Sequence, residues 1–241
     1  MKISIIIPAF NEERLLGETL RHVISAAEAF TQCGWASELI VCDNNSTDHT
    51  ADIARAAGAK VVFEPINQIA RARNSGAAAA SGDWLVFVDA DSRPEPDLFR
   101  AVAEEIQSGT CLAGGATVKL DGDSTGGKWV TALWNRISLR LRWMAGSFIF
   151  CETAVFRSIG GFNQELFAAE ELDLSKRLKI LARERGKQIV TLDSHPLVTS
   201  PRKMHLYSRR EHFLFFAKTV LGGGKTLNNR EACHVWYDGR R

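Results

Sequence analysis

The sequence predicts an α/β protein, a single domain built on a mostly parallel sheet with helices on both faces. Three observations lead there. Short β-rich runs alternate with longer helical patterns through the first hundred residues, a spacing that implies right-handed crossovers between parallel strands. Two of the first four strand-like runs lead directly into acidic groups, at the strand ends where open α/β sheets gather their ligands. A chain of 241 residues, 45% hydrophobic and 24% charged, is long enough to bury one large core.

In chain order, Ile3 to Ile7 reads as a buried strand. Glu12 to Phe30 reads as a helix whose apolar face is Leu15, Leu16, Leu20, Val23 and Ile24. Glu38 to Cys42 is the next strand. Ser46-Thr47-Asp48 then supplies a helix start, and Gly58 a stop, for Thr50 to Ala57. Val61 to Phe63 is a third strand, Ala70 to Ala80 a small-residue helix, and Trp84 to Val88 a fourth strand. The second half is less regular. Cys111 to Lys119 reads as a strand, Trp129 to Trp143 as a helix and Gly146 to Phe150 as a strand. Gly160-Gly161-Phe162 makes a loop before a carboxylate-led helix, Glu170 to Arg185. Gln188 to Leu192 and Leu197 to Thr199 are short strands, and Tyr207 to Leu221 is a last helix ending at Gly222-Gly223-Gly224.

Composition narrows the function classes. No run of about 18 apolar residues occurs, and Ile3 to Ile7 is far too short for a signal-peptide core, so a soluble, unprocessed protein is expected. Cys33, Cys42, Cys111, Cys151 and Cys233 lack CxxC spacing, which argues for reduced thiols in a cytoplasm over a disulfide frame or a zinc site. Net charge is +2 but uneven: residues 201–241 hold nine Lys/Arg against three Asp/Glu, leaving −4 for the first 200. Such a tail is either solvated surface or a segment that meets an anion, a diphosphate or a lipid head group. Gly222-Gly223-Gly224-Lys225-Thr226 is not a phosphate-binding loop, because the position that needs the first glycine is Thr219; it reads as a helix stop and hinge.

The strand Leu85-Val86-Phe87-Val88 runs straight into Asp89-Ala90-Asp91. Carboxylates are costly to remove from water, so a pair at a core edge needs a cation, hydrogen-bond donors or an open cleft. Residues two apart on extended chain face one side, and hard oxygens so placed suit Mg²⁺ or Mn²⁺ shared with a phosphorylated substrate. Turn and cap chemistry is the plainer alternative. Pro8-Ala9-Phe10-Asn11-Glu12 serves equally as a strand-to-helix turn, and Asp43-Asn44-Asn45-Ser46-Thr47-Asp48 as a capping cluster, although the latter holds several capping residues where one suffices. Asp43 is placed to receive a base or ribose donor. Arg71-Ala72-Arg73-Asn74-Ser75-Gly76 lies on or beside a helix, where arginines are ordinarily exposed, and its continuation Ala77 to Ala80 permits close backbone approach. Trp129, Leu133, Trp134, Ile137, Leu141 and Trp143 interleave with Arg136, Arg140 and Arg142, a basic amphipathic pattern that either packs on the domain or presents a membrane-surface or acceptor face.

Taken together and in this order, PAFNEE near the N-terminus, DNNSTD, ARARNSGAAAASGDWLVFVDADSRP and GGFNQELFAAEELDLSKRL resemble the family-2 glycosyltransferases of GT-A fold, from Met1 to about Leu178. The resemblance implies a GT-A type single domain that moves a sugar from a nucleotide-diphospho-sugar to an acceptor hydroxyl, with inversion and with Mg²⁺ or Mn²⁺. Pro8, Ala9, Phe10, Asn11, Glu12 and Asp43 would hold the nucleotide, with Asn74 and Gly76 near it. Asp89, with Ala90, would stand near ribose and metal, and Asp91 would bind the cation. The family's base is usually an aspartate within an acidic pair at the start of a late helix. The matching pair here is Glu170-Glu171, which makes Glu171 the candidate base, one methylene longer, with Glu170 beside it; at a helix start such acids also complement the macrodipole. Asp173 and Arg177 match the pattern's continuation and order the helix. GT-A enzymes often fold a C-terminal basic or histidine residue over the diphosphate or metal, which nominates Arg202 and Lys203 for the donor and His205 for the metal.

The expected organisation is a catalytic domain over 1–200, with a nucleotide-binding half (1–94) and an acceptor half (95–200), followed by a basic lid over 201–241. The donor base is UDP, GDP or dTDP, and the acceptor is a sugar, a lipid-linked or a small molecule. No nucleic-acid partner is expected, and peripheral contact with the inner membrane face is left open. Two rivals stand. A haloacid-dehalogenase-like phosphatase also places DxD after a parallel strand, but on its first strand, where this chain has Pro8-Ala9-Phe10-Asn11. A non-catalytic nucleotide-sugar binding module is the other.

Overall fold

The computed structural model describes residues 1–122, 125–202 and 225–233, with backbone alone at 125–130 and 225–226. The elements are β1 (Lys2–Ala9), α1 (Leu16–Gln32), β2 (Ala36–Asp43), α2 (Thr50–Ala56), β3 (Lys60–Phe63), α3 (Ile69–Ala78), β4 (Trp84–Val88), β5 (Ser92–Arg93), α4 (Pro96–Gln107), β6 (Cys111–Leu120), α5 (Thr125–Leu141), β7 (Phe148–Glu152), α6 (Thr153–Ser158), α7 (Glu170–Glu184), β8 (Gln188–Thr199) and a 3₁₀ turn at Lys225–Asn228. One eight-stranded sheet runs in the order β3-β2-β1-β4-β7-β6-β8-β5. The pairs β3–β2, β2–β1, β1–β4 and β6–β8 are parallel; β7 runs antiparallel to both its neighbours and β5 antiparallel to β8.

The period-2 alternation of each central strand divides the core between two faces. Ile3, Ile5 and Ile7 of β1 pack with Leu16, Leu20 and Val23 of α1 and Leu98, Phe99 and Val102 of α4. Ile6, one step out of phase, packs on the opposite face with Ala70 and Ala77 of α3, Val155 and Phe156 of α6, and Leu174 and Leu178 of α7. The small residues of α3 let that helix lie close to β1. A Cβ on Gly76 would stand 2.5 Å from Cγ2 of Ile6. Replacing glycine inside a helix ordinarily gains about 0.5–1 kcal/mol, but this contact reverses the sign. Gly76→Ala is expected to cost about 1–3 kcal/mol by overpacking, read as a lowered melting temperature.

Two helices, α4 and α6, were not anticipated from the sequence. The α4 signal was present: Pro96 at the first turn, and Leu98, Phe99, Val102, Ala103 and Ile106 forming one buried stripe. The two short strands expected over 188–199 are one strand, β8, broken in its pairing where Leu192 and Leu197 oppose Ala116 and Val118. Residues 193–196 fall in that irregularity, where Pro196 costs the ladder no hydrogen bond. The helix start expected at Glu12 lies instead at Leu16, because residues 10–14 form the loop after β1. The expected helix over 207–221 and the glycine hinge lie outside the described residues. Among the described residues no helix is long and apolar enough to cross a membrane.

Candidate active site

The parallel strands β1, β2, β3 and β4 deliver their carboxyl ends to one edge of the sheet, Ala9 aligned with Asp43 and Asp43 with Phe63. Because β7 is antiparallel, the segment before it reaches the same edge, where Ser147 accepts a hydrogen bond from the Asp89 backbone N–H (3.1 Å). The first residues of α7 complete a cleft of about 260 Å³. Its wall includes Pro8, Ala9, Phe10 and Glu12 from the first loop, Asp89, Ala90 and Asp91 from the fourth strand end, and Gly146, Glu170 and Glu171 from the far side. Nine of the residues nominated from sequence, Pro8, Ala9, Phe10, Glu12, Asp89, Ala90, Asp91, Glu170 and Glu171, are thus brought together across more than 160 positions of chain.

The acidic pair does not continue the strand. Ser92 N donates to Asp89 O (3.1 Å), so Asp89 to Ser92 is a turn. Both carboxylates nevertheless reach the cleft wall, through the turn and not through the extended alternation expected for them. Ala90 is buried, and its carbonyl accepts from Oγ1 of Thr19 on α1 (2.8 Å), which fixes the turn to the core.

Asn11 and the second loop are tied together. Asn11 is left-handed (φ 51°), its backbone N–H donates to Ser46 Oγ (3.0 Å), and its Oδ1 accepts from Thr47 N (2.8 Å). Asp43 is buried just behind this loop, with Oδ1 accepting from Ser46 N (3.0 Å). Asp43 therefore caps the loop and is not among the residues lining the cleft. Asn74 and Gly76 likewise serve packing. The Asn74 amide is spent on the backbone of Phe162, donating to its carbonyl (2.8 Å) and accepting from its N–H (2.9 Å), while Gly76 faces Ile6. These two hold α3 to the sheet and to the 160–162 loop, and neither is among the residues lining the cleft.

Arg73 is the residue that sequence reasoning misplaced. Expected on an exposed helix face, it is 2% exposed and lines the cleft. Its guanidinium donates to Glu170 Oε1 (2.6 Å), Asp89 Oδ1 (3.0 Å) and Gly146 O (2.7 Å), and lies 5.2 Å from the Phe162 ring centroid. The signal was available, since Arg73 falls at i+3 and i−4 between Ala70 and Ala77, on the stripe that α3 buries. Asn67, Ile69, Gly146, Ala168 and Ala169 also line the cleft without having been singled out.

The two glutamates differ in kind. Glu170 is consumed by Arg73. No cation lies within ion-pair distance of Glu171 among the described residues, and burial, then the neighbouring Glu170 charge, pushes its carboxyl up to about 8. The turn that aims it is strained: Ala169, at the helix start, is held left-handed at φ 62°, a cost that non-glycine residues bear where a site over-determines the backbone.

Arg202 is the one described member of the basic trio. It grips Glu12 with both terminal nitrogens (2.8 and 2.6 Å) and stands 3.7 Å from Asp91 Oδ2. Lys203 and His205 lie outside the described residues. The chain returns at 225–233, where Leu227 O accepts from Phe167 N (2.7 Å) and Cys233 is buried.

The donor set fits a cation of one kind. Asp89 and Asp91 offer hard carboxylate oxygens, and among the described residues no group of three His, Cys, Asp or Glu forms a complete protein cage. Mg²⁺ and Mn²⁺ are commonly held in this way, by one or two carboxylates with phosphate oxygens and water completing the shell.

The sequence profile of glycosyl transferase family 2 matches residues 4–159. The chain belongs to that family. Dolichol-phosphate mannosyltransferase of Pyrococcus furiosus is 31% identical over 124 residues, 48% of this chain and 33% of that protein. Undecaprenyl-phosphate 4-deoxy-4-formamido-L-arabinose transferase of Pseudomonas aeruginosa is 30% identical over 145 residues, 55% of this chain and 40% of that one. The chain therefore spans well under half the length of these curated relatives. Among solved structures, the mannosyltransferase PcManGT from Pyrobaculum calidifontis, in complex with GDP-Man and Mn²⁺, superposes with a TM-score of 0.65 over 97% of this chain and 69% of that one, at 20% identity. S. aureus TarS 1-349 in complex with UDP-GlcNAc gives 0.64 over 83% and 58%, at 22% identity. Likeness at that identity establishes the fold, which for this family 2 member is GT-A, as the sequence resemblance implied.

Proposed function

We propose that this family 2 protein transfers a sugar from a nucleotide-diphospho-sugar to an acceptor hydroxyl, with inversion, in a divalent-cation-dependent reaction. The observation that carries the reading is the pairing, across one cleft, of the Asp89-Asp91 turn with Glu171, which forms no ion pair among the described residues and whose carboxyl is raised. In this reading the loop Pro8 to Glu12 receives the nucleotide, and Asp43 acts through that loop by holding it in shape. Arg202 neutralises the diphosphate edge, with Lys203 for the donor and His205 for the metal as the further candidates. Glu171 accepts the acceptor proton, and Glu170 with Arg73 fixes the backbone that aims it. Mg²⁺ or Mn²⁺ at Asp91 and Asp89 would supply Lewis-acid stabilisation of the departing diphosphate, worth several kcal/mol. The names of two curated relatives carry dolichol-phosphate and undecaprenyl-phosphate; a lipid phosphate attacks through an ionised oxygen and has no proton for Glu171 to take, so the base role proposed here belongs to a hydroxyl on a sugar, lipid-linked or small-molecule acceptor. A phosphatase reading fails on the absence of a nucleophile in Pro8-Ala9-Phe10-Asn11.

A thermal-shift panel of UDP-, GDP- and dTDP-sugars, with and without Mn²⁺, tests this. One donor should raise the melting temperature only with Mn²⁺, by a stabilisation of about 2.7 kcal/mol at a hundred times its Kd. No shift with any donor would contradict the proposal.

A further inference from the structure

The face shared by α5 and α7 is unlike the rest of the surface. Among the described residues eight large hydrophobic side chains are exposed, and half of them are here: Leu133 (62%), Leu139, Leu141 and Ile180 (59%). They alternate with exposed cations, Arg136, Arg140 and Arg142 beside α5 and Lys176 and Arg183 on α7. Among the described residues no carboxylate forms an ion pair with any of these five, and α5 carries no acidic residue at all. The inner side of α5 is fixed. Asn135 donates to Val118 O (2.8 Å) and accepts from Val118 N (3.0 Å) on β6, and Ser138 is buried. Leu133, Arg136 and Arg140, at i, i+3 and i+7, therefore point the other way.

The end of α5 and the middle of α7 are tied at one point. Lys179 Nζ donates to Leu141 O and lies 5.8 Å from the Trp143 ring centroid. Burial, then Arg183, Arg142 and Lys176, lowers the Lys179 pKa, so these cations share one electrostatic field.

We propose that the α5/α7 face docks the protein on an anionic lipid bilayer. This goes beyond the transfer reaction and does not depend on it. A second copy packed symmetrically on the same face would set like charges against each other. A polyanion alone would leave the leucines in water. A bilayer surface supplies both an anionic plane for the arginines and hydrocarbon for the leucines, at the depth an amphipathic helix reaches.

The test is co-sedimentation of the full chain with phosphatidylcholine vesicles that contain or lack phosphatidylglycerol. The chain should pellet with the anionic vesicles and not with the neutral ones, and should be released as salt is raised toward about 1 M, where the Debye length falls to about 3 Å. Arg136→Glu/Arg140→Glu should lower binding by at least about tenfold. Leu133→Ser/Leu139→Ser should lower it as well. All four positions are on the solvent face, so circular dichroism and nucleotide binding should match the parent chain, which separates this proposal from the function proposed above. A parent chain that stays in the supernatant with anionic vesicles would overturn the proposal. So would an Arg136→Glu/Arg140→Glu variant that pellets as well as the parent, which would assign binding to residues 201–241. A dimer that the same substitutions dissociate, without vesicle binding, would make the face a contact between two copies.

Discussion

Glu171→Gln is expected to bind donor as the parent chain does and to lose transfer by about 10² to 10⁴, the range associated with a positioned acid or base. The amide keeps the size and the cleft position of the carboxylate but cannot take a proton from the acceptor. Glu170→Gln should behave differently, since its partner is Arg73 at 2.6 Å; its loss should appear mainly in stability. The pH dependence gives a second readout. A base works only when deprotonated, so with Glu171 raised to about 8 the rate should climb as pH rises toward that value. A bound cation would pull the limb to lower pH, because positive charge favours the carboxylate. In Glu171→Gln the limb should vanish. A Glu171→Gln enzyme with parental turnover, beside a crippled Glu170→Gln, would move the base by one residue.

Arg73→Met is expected to cost about 3–5 kcal/mol, because it strips a buried cation from two carboxylates and leaves Glu170 with no counter-charge. Glu170 is 6% exposed at its side chain, so water cannot replace the guanidinium there, whereas Asp89, at 22%, retains partial solvation. In a chain of this length that loss lowers the melting temperature by about 10 °C. The double variant Arg73→Met/Glu170→Gln should recover part of the loss, since a neutral amide needs no counter-charge. Additive losses in the double variant would mean that the pair contributes no coupling energy and that Arg73 acts through packing alone.

The parts of this fold that were legible in the sequence are those where local pattern and burial agree. The isoleucines of β1, the strand at 84–88 and the carboxylate-led α7 each announce themselves within one segment. Asp89 and Asp91 were legible as cleft-wall residues because a charge at the end of an apolar run is costly unless it faces a cleft; Glu12 and Glu171, which line the same cleft, were nominated through the family resemblance. Arg73 was not, because its burial depends on three partners, Asp89, Gly146 and Glu170, that lie 16 to 97 residues away. Its position on the alanine stripe of α3 was the local hint. The same reasoning explains Asn74, nominated through the resemblance: only the fold brings Phe162 against its amide. The turn at 89–92 was hidden because the apolar run implied that the extended chain would continue.

In the proposed reaction the Asp89-Asp91 turn holds a divalent cation shared with a nucleoside diphosphate. The most direct test is calorimetric titration of the donor nucleoside diphosphate into the parent chain and Asp91→Asn across a Mn²⁺ series, with melting temperatures alongside. In the parent chain, affinity should rise with Mn²⁺ and saturate. In Asp91→Asn, whose amide keeps an oxygen but loses the charge, the same rise should require far more Mn²⁺, while the fold is retained. If the acids were only turn chemistry, the variant would lose about 0.5–2 kcal/mol of stability and keep the parental Mn²⁺ response, and the account would be contradicted at its centre.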